Sequence, residues 1–195
     1  MGQTQQRQIW RLSTYDLAIA GIFGAIAIVL SFTPLGAIPV SNVSGNATTL
    51  HLPAIIAGIL AGPIVGALVG LVLAISTWIR NYPIFMSLSN GNTLVALMAA
   101  FLPRILIGIV AYYVYRLFRR HATLASGAAA LAGTLTNSIG VLGILYFLGT
   151  ATIELLLPII ALNVPIEIAL ALLLTIPTVA VLRARRPGSV AAARD

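Results

Sequence analysis

The chain has 195 residues, of which 59% are hydrophobic and only 8% charged, with a mean hydropathy of +1.04. That leaves too little polar surface for a water-soluble fold and marks an integral membrane protein; at about 20 apolar residues per span it allows about six crossings in one domain. The formal net charge is +7, all 11 basic residues are arginine and cysteine is absent, which excludes a disulfide, a thiol nucleophile, a sulfur metal site, a Walker A lysine and a Schiff base.

In chain order, a polar lead (1–15) precedes a membrane domain (16–183) and a basic tail (184–195). The first apolar run, Leu17 to Phe32, carries Ala20 with Gly24 and Gly21 with Ala25, two small-xxx-small pairs on adjacent stripes of one helix. Spacing alone leaves open whether their neighbour lies within the chain or in another subunit. The polar stretch PLGAIPVSNVSGNATTLHLP follows and must leave helix geometry. In the next run, Gly58, Gly62, Gly66, Gly70 and Ala74 recur every four residues, a smooth strip against which a second helix backbone can pack. Gly62-Pro63 cuts that strip into two helices. If this break lies at one membrane surface, the helix back to Leu52 climbs only about 16 Å, half the bilayer. Either it begins earlier, near Asn46, or the preceding loop dips toward the midplane, where irregular backbone must be buried in protein or line a cavity. His51 then belongs to the floor or wall of a pocket, or caps the helix start.

The later spans are expected near 63–79, 93–118, 124–148 and 155–182. Trp78 and Arg80 read as an interfacial pair, and the stretch after them, with Tyr82, Asn90 and Asn92, as a loop that is either a lid or a plain turn. Nine arginines (Arg7, Arg11, Arg116, Arg119, Arg120, Arg183, Arg185, Arg186 and Arg194) fall on one side, which puts both termini in the cytoplasm and requires an even number of crossings. Counted from the arginines that end their helices, Arg104, Asn137, Asn163 and Glu167 converge on one level in the outer half of the membrane. An arginine there costs several kcal/mol unless it faces a partner or a polar cavity. The choice is between an Arg104–Glu167 ion pair and a ligand site, and intramembrane charge favours the site.

The HLPAIIAGILAGPIVGALVG hairpin, LPRILIGIVAYYVYRL and AGTLTNSIGVLG, in that order, resemble the substrate-binding S components of energy-coupling factor vitamin transporters, and the resemblance is greatest to the group assigned to pantothenate. It implies an all-α, six-transmembrane-helix bundle in a bacterial or archaeal cytoplasmic membrane, whose outer half holds one vitamin molecule. The resemblance also implies that Ala20, Gly21, Gly24 and Ala25 dock on a membrane coupling subunit driven by two cytoplasmic ATPases. ATP is then used by the partners, and this chain carries no cofactor of its own. The expected substrate-binding residues are His51, Trp78, Tyr82, Asn90, Asn92, Arg104, Asn137, Asn163 and Glu167. Riboflavin or folate as ligand, and a stand-alone proton-coupled carrier titrating Glu167, are the competing transport readings. An enzyme is disfavoured because His51, His121, Glu154 and Glu167 make no metal triad or nucleophile–base spacing; the arginine clusters read as topology anchors rather than a nucleic-acid surface.

Overall fold

The computed structural model describes residues 12–39 and 46–184. Arg7, Arg11, Arg185, Arg186 and Arg194 lie outside the described residues. Six helices form the bundle: α1 (Thr14–Phe32), α2 (Leu52–Ala61), α3 (Pro63–Leu88), α4 (Thr93–Leu117), α5 (Ala122–Phe147) and α6 (Ile153–Ala184). Five of them are long and apolar enough to cross a membrane, and α2, with 10 residues, is not. At 1.5 Å per residue α2 rises about 15 Å, so the loop before it reaches into the bundle rather than the helix starting early.

That loop is stabilised by pairing instead of by helix. A short 3-10 turn (Pro34–Gly36) leads into β1 (Ala37–Pro39), which pairs antiparallel with β2 (Asn46–Thr48), Ile38 facing Ala47. Ala47, Thr49, Leu50 and His51 are buried. The Thr49 amide donates to the Gly36 carbonyl, the Thr48 amide to Glu167 Oε1 and Asn163 Nδ2 to the Asn46 carbonyl. Side chains of α6 thus bind the backbone groups that lipid would leave unsatisfied.

Gly62 ends α2 with φ +102°, a conformation that L side chains rarely adopt, and Pro63 opens α3 where its missing N–H costs nothing. The glycine row then does what its spacing suggests, with one exception. Added Cβ atoms would lie 2.3 Å from the Gly108 carbonyl oxygen at Gly58, 2.8 Å from Gly108 Cα at Gly66 and 2.1 Å from the Arg104 carbonyl oxygen at Gly70. The neighbour is therefore α4, laid backbone to backbone on the α2–α3 strip, whereas Gly62 meets nothing within 4 Å and serves the turn alone.

Three sequence expectations need correction. First, α3 does not stop at Arg80 but continues to Leu88 through a break at Asn81 (φ −111°, ψ 19°) and an internal Pro83, so most of the expected loop is helical. Second, counting about 20 residues back from Arg183 puts Asn163 at the outer edge of the last helix, but α6 starts at Ile153, ten residues before it, so Asn163 lies well inside the helix. Its 32 residues span about 48 Å, more than the 20-residue crossing that the depth count assumed. Third, the α1 stripes divide. Gly24 is buried beside Val72 of α3 and Ala20 is half-buried, whereas Gly21 and Ala25 are exposed and Gly21 has nothing within 4 Å.

Two apolar clusters fill the bundle. One joins Phe23, Ile55, Val69, Ile107, Ala129 and Val179; the other joins Phe85, Ala99, Leu145, Leu156 and Ile159. Near the C-terminal end of α6, Arg183 donates to the Ile59 carbonyl of α2 and stacks 4.2 Å from the Tyr115 ring of α4, fixing three helix ends at one level.

Candidate ligand cavity

A cavity opens among the loop before α2, the C-terminal part of α3, and α4, α5 and α6. It encloses about 160 Å³, where one water needs only ~10–15 Å³, so it accommodates a small organic molecule. Arg104, Asn137, Asn163 and Glu167, the four residues placed at one depth by sequence, all line it. Asn46, Thr48, Arg80, Asn81 and Ser138 add polar groups, and Phe85, Leu142, Ile159 and Val164 an apolar wall.

Each charged group is placed by backbone packing. The contact of Gly70 with the Arg104 carbonyl seats that turn of α4 against α3. Arg104 Nη1 then donates back to the carbonyls of Ala99 (3.2 Å), which Pro103 leaves without its helical donor, and Ala100 (2.8 Å), and its guanidinium lies 5.2 Å from the Phe85 ring centre. Its Nε and Nη2 have no hydrogen-bond partner among the described residues. Glu167 is engaged differently: Oε1 accepts from the Thr48 amide at 2.8 Å and from its hydroxyl at 3.2 Å, and Oε2 accepts from Ser138 Oγ at 2.8 Å. Among the described residues no ion pair joins Arg104 to Glu167. The two opposite charges face one cavity without closing on each other, which removes the direct ion pair as the reason for Arg104 lying there.

The other five expected site residues fall elsewhere. His51 is buried below the cavity, its Nε2 2.9 Å from Thr134 Oγ1, and it stands at the N-cap of α2 without capping it. Trp78 packs against Tyr82, Phe85 and Phe101, and Tyr82 is exposed. Asn90 takes the positive φ of a turn (51°) and donates to the Thr150 carbonyl at 2.9 Å, tying the α3–α4 turn to the α5–α6 turn. Asn92 caps α4, its Oδ1 accepting from the amides of Leu94 and Val95. We expect Asn92→Ala to cost about 1 kcal/mol of stability, seen as a lower Tm in detergent, with ligand binding unchanged.

Thr48, Asn46 and Arg80 escaped the sequence reading because their partners lie 119, 117 and 49 residues away. Ser138 and Asn81 were nearer to hand. Ser138 sits one residue after Asn137, and Asn81 lies two residues before Pro83, in the turn whose helix hydrogen bonding a proline disturbs.

The structure thus presents a half-enclosed cavity with charged and amide side chains, set in a bundle that includes five membrane-length helices. The chain belongs to the family described as ECF transporter, substrate-specific component, whose model matches residues 15–179. It is also 33% identical over 191 residues, covering 89% of this chain and 96% of the relative, to the pantothenic acid transporter PanT of Lactococcus lactis subsp. cremoris (strain MG1363). It is accordingly a multi-pass membrane protein of the vitamin-transporter substrate-binding class.

Proposed function

We propose that this chain captures pantothenate at the outer face of a bacterial cytoplasmic membrane and passes it inward while docked on a membrane coupling subunit driven by two ATPases. The observation that carries the ligand reading is the Arg104 guanidinium, with Nε and Nη2 left over in a cavity shared with Asn137 and Asn163. The ligand's carboxylate pairs with Arg104, its amide and hydroxyls with the asparagines and Thr48, and its dimethyl group with Leu142, Ile159 and Val164. The similarity to PanT supports the same ligand.

Docking falls to the outward stripe of α1, Gly21 and Ala25, because Gly24 already packs on α3. The arginine-rich ends of the sequence support a cytoplasmic position for both termini. A proton-coupled role for Glu167 is the weaker reading, since three hydrogen bonds from Thr48 and Ser138 already engage its carboxylate. Native mass spectrometry of the detergent-purified chain, supplied with pantothenate, riboflavin and folate together, tests the ligand. We expect retained pantothenate; retention of riboflavin or folate without pantothenate overturns the assignment.

A further inference from the structure

Arg80 read as an interfacial anchor in the sequence, but it lines the cavity. The reason is the break at Asn81. Beyond it, Asn81, Ile84, Phe85 and Leu88 all face the cavity, at spacings of three, four and seven residues that define one side of a helix. Arg80 stands at the start of this wall. Its Nη1 donates to the Ser31 carbonyl in the last turn of α1, one of the terminal carbonyls that a helix leaves without an internal partner. A guanidinium carries five N–H donors, and this one has no other hydrogen-bond partner among the described residues.

The charge count in the cavity is uneven. Arg80, Arg104 and Glu167 are the charged groups among its described lining residues, two positive and one negative. Arg80 is exposed as well as lining the cavity, so its charge is partly solvated, and a ligand with one negative charge balances the excess.

We propose that Arg80 is a second anion-recognising group of this cavity, adding to the preference that Arg104 gives it for a singly charged acid over the neutral counterpart; this rests on the ligand reading above. Two roles compete for Arg80, recognition of the ligand and a tie to Ser31 that only holds α1, and they are separable by ligand charge. A tie acts on every ligand alike. Recognition of charge acts on the acid alone.

The test measures Kd of the full-length protein in detergent for pantothenate and for the analogue in which a primary alcohol replaces the carboxylate. Wild type should favour the acid by about 10-fold or more. Arg80→Gln should weaken acid binding by about 10-fold while changing alcohol binding by less than about 3-fold, and Arg80→Lys should keep most of the preference because the charge stays. Equal weakening for both compounds, or no change for either, overturns the proposal and leaves Arg80 as the α1 tie. Wild type that binds acid and alcohol equally overturns charge selection but leaves the pantothenate assignment standing. Wild type that binds neither removes that assignment, and the role of Arg80 with it.

Discussion

Replacing Arg104 with alanine should raise the Kd for pantothenate by about 100-fold or more, the scale of losing a desolvated charge-assisted contact. The fold should survive, because the hydrogen bonds of Arg104 go to Ala99 and Ala100 of its own helix and no ion pair with Glu167 is broken. Removing a charge from a membrane cavity also relieves a desolvation cost, so Tm in detergent should shift by a few degrees at most. Titration calorimetry and a thermal melt on the same preparation separate the outcomes. Reduced stability with unchanged pantothenate affinity would make Arg104 a structural group and end the case for this cavity as the ligand site.

The second large effect concerns a single methyl group. Gly108→Ala should destabilise the protein by several kcal/mol, because its Cβ would lie 2.4 Å from Gly66 Cα, backbone against backbone, where no side chain can rotate away. The same exchange at Gly21 should be neutral or stabilise by about 0.5–1 kcal/mol, since that position is an exposed helix interior with nothing within 4 Å. The chemistry is identical and the expected signs are opposite. A Tm for Gly108→Ala within a degree of wild type would refute the close α3–α4 crossing. Because the adjoining contact at Gly70 seats the Arg104 turn, this crossing also governs the cavity, and Gly108→Ala should lose pantothenate binding together with stability.

Much of this architecture was legible in the chain. Every-fourth-residue glycines announced a close helix crossing, Gly62-Pro63 the break, and the short climb to Leu52 a loop that enters the membrane. Depth counting brought Arg104, Asn137, Asn163 and Glu167 together because Arg116 and Arg183 do lie in the last turns of α4 and α6, even though α6 runs on beyond the roughly 20 residues counted. What failed was the reading of turns. Tyr-Pro and Asn-Gly-Asn signalled irregular backbone, and Asn90 and Asn92 do serve a turn and a cap, but that chemistry is local and carries no information about a ligand. Pro83 did not end α3, since Asn81 absorbed the distortion two residues earlier. His51 was read as a pocket residue from the depth of its loop, and only the fold brings Thr134 to it, 83 residues away. The partners of Glu167 were equally hidden, as contacts between a re-entrant loop and the last helix have no sequence period.

The re-entrant loop has a consequence for the biosynthesis of the protein. Its amide and carbonyl groups at Thr48 and Asn46 are matched by Glu167 and Asn163, which the ribosome delivers more than a hundred residues later. Until α6 emerges, residues 46–51 have no α6 acceptor or donor at depth, and hydrocarbon exacts several kcal/mol for each group left bare. The early hairpin must therefore wait in the wet headgroup layer, and its final descent is an event of chain completion.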